Sequence, residues 1–230
     1  MVNHKNFIFI HFPKTGGTFI EDFLYSNIKG TKKDHYIRHW PIFTFDDSDK
    51  DKKFKFATIR NPYSYWVSFW YFDKKRITKY ESTRKMFEKG GKNNFSLFVK
   101  QILSRGDNLG PLLEFNIMKK LNIGILTYRY LYMLCHHDVF LDPKWEQNYK
   151  KYLMVDKIIK MENMVVDLTK MFERRKKVFG LSDDKILLLN KLPKKNKSGH
   201  KSPLYYFDSE TKELIKWKER FMFHNFYNKE

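Results

Sequence analysis

The chain has 230 residues, enough for one domain with a sizeable buried core, and its 18% aromatic content excludes a disordered chain. Its 45 lysine and arginine residues outnumber 26 aspartate and glutamate residues, so the net charge is +19. Such an excess favours an anionic partner, whether nucleotide, anionic glycan, membrane surface or nucleic acid. The composition is also that expected of an AT-rich genome, so the charge alone does not choose among these partners.

The cysteine content and the N-terminus restrict the possible location. Cys135 is the only cysteine, which excludes an intrachain disulfide, and its apolar surroundings in the sequence predict a buried thiol. The apolar stretch Phe7–Phe12 is too short for a signal peptide. No stretch approaches the ~20 apolar residues that cross a bilayer. We therefore expect no membrane span and a cytoplasmic or soluble viral or bacterial location, which Met1 favours over a sequence trimmed of an anchor.

A strand–loop–helix pattern opens the chain. Four apolar residues, Phe7–Ile10, predict a short strand that is buried on both faces. The loop contains Gly16 and Gly17, whose backbone can adopt conformations that a Cβ disfavours. Thr18 then opens an apolar-periodic segment that predicts a helix. This arrangement directs backbone N–H groups and the positive end of a helix dipole at a phosphate, and Lys14 adds a positive charge there.

The order of residues in this loop argues against an ordinary ATP or GTP site. In a P-loop the lysine follows the last glycine, whereas here it precedes both glycines, and GK[ST] occurs nowhere in the chain. The string Pro13–Thr18 resembles the 5′-phosphosulfate loop of the sulfotransferases, which use 3′-phosphoadenylyl sulfate (PAPS) as sulfuryl donor. The resemblance implies that Lys14 and the backbone of Thr15, Gly16, Gly17 and Thr18 bind the 5′-phosphate. A tight turn with an incidental lysine is the alternative interpretation.

A second strand–helix junction follows. The segment Phe54–Ile59 predicts a strand, and Asn61 and Pro62 are favourable residues for the cap and first position of a helix over Tyr63–Phe72. The strand thus ends at an arginine, which precedes the helix cap.

The arginine of this junction has a partner at family spacing. In sulfotransferases an arginine at the strand end and a serine eight residues later bind the 3′-phosphate of the nucleotide, and Arg60 and Ser68 have that spacing. Many relatives carry a further arginine at the position of Tyr65. The alternative is that Arg60 is a surface arginine and Ser68 a small packing residue.

Two later segments resemble the family less specifically. Val155–Met164 is similar to a strand ending in Glu-Asn-Leu, after which Asn163 would cap a helix that ends at Gly180. Asn196 and Ser198 match an Asn-x-Ser loop that closes over the nucleotide in relatives. A solvated lysine-rich loop is an equal alternative for this segment.

The predicted elements define a fold class. Residues 94–103, 112–121 and 126–135 also predict helices, and three apolar strands separated by helices fit an α/β fold with a doubly wound parallel sheet. The resemblance makes this a P-loop-containing, sulfotransferase-like fold, and residues 1–230 are expected to form a single domain. In such a fold, ligands bind beyond the carboxyl ends of the strands, where both phosphate motifs lie.

The resemblance also implies a general base. His39, in the segment His39-Trp40-Pro41, matches a Gly-His-x-Pro-like segment whose histidine serves as base in glycan-modifying relatives, and His35 is a second candidate. A surface histidine in a basic loop is the alternative interpretation. His11 is expected to orient the loop. Glu21 and Asp22 are weaker candidates for the base.

No metal ion is expected. The run His136-His137-Asp138 is suggestive, but adjacent residues do not face one site on a helix, so we expect solvated histidines near a helix end. Lys14 is expected to neutralise the charge that develops as the nucleotide PAP leaves, so the reaction needs no cation.

The predicted function is PAPS-dependent transfer of a sulfuryl group to an acceptor hydroxyl, on a glycan or another anionic or aromatic substrate. A nucleotide kinase or NTPase with a degenerate P-loop is one alternative, and it predicts Mg²⁺-dependent ATP binding. A non-catalytic module that binds polyanions is another. A nucleic acid is not expected as a specific partner.

Overall fold

The computed structural model describes residues 1–33, 39–46, 48–77, 95–104, 112–192 and 201–227. These residues form an α/β protein with a mostly parallel sheet. The chain divides into two compact units. The first unit comprises Met1–Arg60 and Tyr130–Lys197, and the second comprises Asn61–Arg129 and Ser198–Glu230. Among the described residues no helix has the length and apolar character of a membrane span.

The first unit contains the sheet. Its strands are β1 (Val2–Asn3), β2 (Phe7–Ile10), β3 (Lys32–Lys33), β4 (Phe54–Ile59) and β5 (Lys157–Lys160), in the spatial order β3-β1-β2-β4-β5. β2, β4 and β5 are parallel, whereas β1 runs antiparallel to β2 and β3. The α/β class and the three strands that are parallel to one another were predicted correctly, but the sheet as a whole is mixed because of the antiparallel β1. The strands β1 and β3 were not predicted, because a strand of two residues is too short to show a periodicity.

The α-helices of the described residues lie between and after the strands and are numbered here in chain order. They are α1 (Gly17–Asn27), α2 (Pro62–Ile77), α3 (Phe95–Ser104), α4 (Leu112–Leu121), α5 (Ile125–Leu134), α6 (Trp145–Tyr152), α7 (Met164–Arg174), α8 (Lys176–Phe179), α9 (Asp183–Leu187), α10 (Ser209–Lys218) and α11 (Arg220–Met222). The helices predicted from periodicity are present. The one predicted to follow Asn163 is divided at Arg175 into α7 and α8, and it ends as predicted at Gly180, whose φ is +62°.

An aromatic core holds the sheet of the first unit. Every residue of β2 and β4 is buried, so both faces of these strands are covered, which the apolar run of β2 predicts and the alternating pattern of β4 does not. The register pairs Phe7 with Phe54 and Phe9 with Phe56, and the rings of Phe9 and Phe56 lie 5.0 Å apart. The ring of Phe179 packs 4.8 Å from that of Phe7. Because β2 and β4 are parallel, their carboxyl ends lie at the same edge of the sheet, which is where the candidate site forms.

The second unit is helical and is built around a buried carboxylate. Glu219 is fully buried, and its Oε1 accepts hydrogen bonds from Trp66 Nε1 and the Leu126 N–H, each at 3.1 Å. Its Oε2 accepts from the backbone N–H and the hydroxyl of Thr127 at 2.8 and 2.7 Å. Burial raises the pKa of Glu219. A Cβ on Gly124 would overlap this carboxylate, so the glycine is needed for close packing.

Candidate functional site

The loop between β2 and α1 has two left-handed residues. Gly16 has φ +83°, which agrees with the prediction that a glycine supplies unusual backbone here. Lys14 has φ +64°, a conformation that costs a residue with a Cβ about 1–2 kcal/mol. Arg60 stabilises this backbone, because its Nη1 donates a hydrogen bond to the Lys14 carbonyl at 3.2 Å. Two residues of the predicted site are therefore in direct contact.

Gly17 is required for a different reason from Gly16. It begins α1, and a Cβ at this position would overlap the ring of His11. That ring is buried, and its Nδ1 lies 2.7 Å from Oε1 of the buried Glu21. The imidazole thus packs tightly between the end of β2 and the start of α1. This agrees with the expected loop-orienting role of His11, and it takes Glu21 into the interior rather than towards an acceptor.

Thr15 ties the loop to the neighbouring strand. Its side chain is fully buried, and its hydroxyl donates to the Phe12 carbonyl at 2.7 Å. The Thr58 hydroxyl lies 2.7 Å from Thr15 Oγ1 and donates to it, because the single Thr15 hydroxyl proton is already used. Only the backbone of Thr15 can therefore serve a ligand. Thr18, in the first turn of α1, is half-buried.

The turn after β5 closes one side of the loop. A Cβ on Gly16 would lie 3.2 Å from Sδ of Met164 and 3.7 Å from Cγ of Met161. Asn163 occupies the capping position of α7, as predicted, but its side chain makes no capping hydrogen bond. The strand ends of β2, β4 and β5 thus each contribute residues around the loop.

His39 contacts the loop through the end of β2. It is exposed, its Nδ1 lies 2.9 Å from the His11 carbonyl oxygen, and its ring stands perpendicular to the His11 ring at 4.8 Å. A carbonyl only accepts hydrogen bonds, so Nδ1 carries the proton, and the lone pair of the neutral ring is on Nε2. This is the tautomer required of a base that acts through Nε2.

Ser68 belongs to the second unit, where it is buried in α2. Its joint action with Arg60 on one phosphate stays a prediction. Tyr65, at the position where relatives carry arginine, is buried, and its hydroxyl oxygen accepts a hydrogen bond from Arg129 Nη1 at 2.8 Å. An arginine therefore does approach this helix, but from a different position in the sequence.

Three further sequence-based candidates lie outside the described residues, namely His35, Asn196 and Ser198. Sequence reasoning missed the left-handed Lys14 and the position of Met161 and Met164 beside Gly16. Neither has a recognisable local signal, since one depends on tertiary support from Arg60 and the other on where the third strand ends.

The chain was compared with known proteins in three ways. No family model matches it, and neither does any curated protein or solved structure. The residues and geometry of the site are therefore the basis for a functional conclusion.

Proposed function

We propose that this protein is a PAPS-dependent sulfotransferase that transfers a sulfuryl group to an acceptor hydroxyl, with a glycan as the favoured acceptor. The observation that carries the proposal is the loop over residues 13–17. It joins a buried parallel strand to a helix N-terminus through two left-handed residues, and an arginine from the adjacent strand end supports it.

The loop is suited to a phosphate group. Gly16 and Gly17 leave the backbone without side chains at the start of α1, where an anion can approach the backbone closely and the helix dipole is positive. The ammonium of Lys14 adds a positive charge beside the same loop, and Arg60 supports the loop backbone by donating a hydrogen bond to the Lys14 carbonyl. A charge of this sign and a backbone of this kind favour the 5′-phosphosulfate of the donor.

The residues of the site each have a separate role in binding the donor or in the transfer. PAPS, when bound, supplies the sulfuryl group and leaves as PAP. The N–H groups over residues 15–18 hold the 5′-phosphate, and Lys14 neutralises negative charge as it grows on the departing oxygen. One such preorganised donor typically contributes ~3–4 kcal/mol of transition-state stabilisation. Arg60 and Ser68 bind the 3′-phosphate, which distinguishes PAP from AMP.

His39 accepts the acceptor proton. Its Nδ1–H is held by the His11 carbonyl, so the base lone pair is on Nε2 of a ring fixed beside the phosphate loop. The neighbouring Trp40 is half-exposed, at 50% of its surface, and offers an aromatic face on which a sugar ring can stack. This combination favours a glycan acceptor over a small anion.

Parallel calorimetric titrations with PAP, AMP and ATP–Mg²⁺ test the proposal. PAP should bind more tightly than AMP, and Arg60→Ala should remove most of the difference, because a hydrogen bond to a charged group contributes roughly 1.5–3 kcal/mol, or about 10- to 100-fold. Arg175→Ala is the matched control, since Arg175 is exposed and its guanidinium stacks on Phe54, 4.2 Å from the ring centre. The control should bind PAP normally.

Two outcomes would overturn the proposal in different directions. Equal affinity for PAP and AMP would remove the 3′-phosphate contact on which it depends. Tight binding of ATP that requires Mg²⁺ would instead favour the nucleotide kinase.

A further inference from the structure

A cluster of three possible metal ligands lies outside the proposed site, in the first unit. His136, His137 and Asp138 each offer a ligand atom, and these atoms lie within 4.8 Å of one another. His136 Nδ1 is 3.1 Å from one oxygen of the Asp138 carboxylate, and His137 Nε2 is 3.1 Å from the other. The three side chains therefore converge, although they are consecutive in the sequence.

The backbone explains this convergence. His136 is extended, with φ −64° and ψ 144°, and a short 3₁₀ turn begins only at His137. The expectation that these residues diverge assumed that all three lie on one helix. Because His136 precedes the turn, the His136 ring folds back over the turn, and the rings of His136 and His137 lie 4.3 Å apart.

Packing restricts the two rings on one side. The ring of Phe43 lies 5.4 Å from that of His137 and 6.2 Å from that of His136. The opposite side is open to solvent, since the His137 and Asp138 side chains are 57% and 50% exposed. The cluster is thus partly preorganised and accessible to an ion from solution.

We propose that His136, His137 and Asp138 bind one divalent transition-metal ion, for which Zn²⁺ serves as the test ion. Two ligands of a tetrahedral zinc at 2.0–2.2 Å are separated by about 3.3 Å, close to the nitrogen–oxygen distances found here. Two imidazoles with one carboxylate suit Zn²⁺, Cu²⁺ or Ni²⁺, whereas Mg²⁺ and Ca²⁺ require an oxygen shell. The fourth position is open to water.

The bound ion fixes the turn against Phe43. That residue lies in the 3₁₀ turn Ile42–Thr44, shortly after His39 in the chain. The metal site is therefore next to the segment that bears the proposed base, but the proposed transfer reaction does not use the ion. The two proposals can fail separately.

Calorimetric titration of the full chain with ZnCl₂ tests the site. We expect one Zn²⁺ per chain, and at least a 10-fold loss of affinity in both His137→Ala and Asp138→Asn, since even loss of an outer-shell partner costs about 10- to 100-fold. His224→Ala is the matched control, because His224 is exposed and lies in the second unit, and it should bind as the parent does. Since zinc binds neutral imidazole, affinity should fall as the pH is lowered.

Proton NMR of the histidine rings adds a second readout. Of the 8 histidines, two should show ring signals that shift on Zn²⁺ addition, and the Phe43 ring signals should shift with them. Absence of Zn²⁺ binding by the parent protein would overturn the proposal. Undiminished binding by His137→Ala and Asp138→Asn would equally overturn it.

Discussion

Replacing Lys14 by glycine should give a more stable protein than replacing it by alanine, and both substitutions should reduce activity. Any residue with a Cβ at φ +64° pays about 1–2 kcal/mol, which glycine avoids. Glycine also lowers the free energy of unfolding by about 0.5–1 kcal/mol, because it gives the unfolded chain more conformational freedom. We therefore expect Lys14→Gly to be about 0.5–1 kcal/mol more stable than Lys14→Ala, and to melt roughly 1–4 °C higher.

Lys14→Ala is the matched comparison for this substitution. Both variants lose the ammonium but keep the backbone carbonyl to which Arg60 donates. Both should lower kcat ~10²-fold or more with only a modest change in PAP affinity, because the lysine acts on charge that appears as the bond breaks.

Thermal unfolding and transfer of radiolabelled sulfate measure the two effects. A glycine variant less stable than the alanine variant would refute the left-handed geometry. Normal turnover with poor nucleotide binding would refute the catalytic role of the lysine.

Three further substitutions examine other parts of the structure. Gly17→Ala should destabilise the protein by about 1–3 kcal/mol and abolish PAP binding in a titration, because its Cβ displaces His11, whereas Gly180→Ala costs only backbone strain and should leave PAP binding intact. His39→Asn keeps a donor near the position of Nδ1 but offers no base, so kcat in the transfer assay should fall ~10²–10⁴-fold with PAP affinity unchanged; full activity would exclude His39 as base. Burial raises the pKa of Glu219, so the folded state holds more protons than the unfolded state between the two pKa values, and the free energy of unfolding should fall as pH rises through that window. Urea unfolding across this range should show less of that fall in Glu219→Gln, and an identical slope in both proteins would contradict the assignment.

The parts of the fold that the sequence predicts are those with a strong local signal. Phe7–Ile10 is an apolar run, Phe54–Ile59 is a largely alternating segment, and each is followed by a proline within three residues; both form buried parallel strands. Asn61 and Pro62 predict the start of α2, where the Asn61 side chain accepts a hydrogen bond from the Tyr63 N–H at 3.0 Å. Gly180 ends its helix in a left-handed conformation for the expected reason.

The features that escaped prediction depend on contacts between distant segments. The left-handed backbone of Lys14 is supported by Arg60, 46 residues away, and nothing local in the sequence indicates it. The hydroxyl of Thr15 is used internally because Thr58 lies opposite it on the next strand. The convergence of His136 with its neighbours depends on where a 3₁₀ turn begins, a boundary that periodicity does not locate.

Sulfuryl transfer without a metal ion is the activity on which the proposed role of the loop depends. Its most direct test is incubation of the protein with radiolabelled PAPS and a panel of glycans, tyrosine peptides and phenols, in EDTA and with added Mg²⁺. We predict transfer of label to a glycan hydroxyl at the same rate in both conditions. Failure to label any acceptor, or activity that EDTA abolishes and Mg²⁺ restores, would exclude metal-independent sulfuryl transfer.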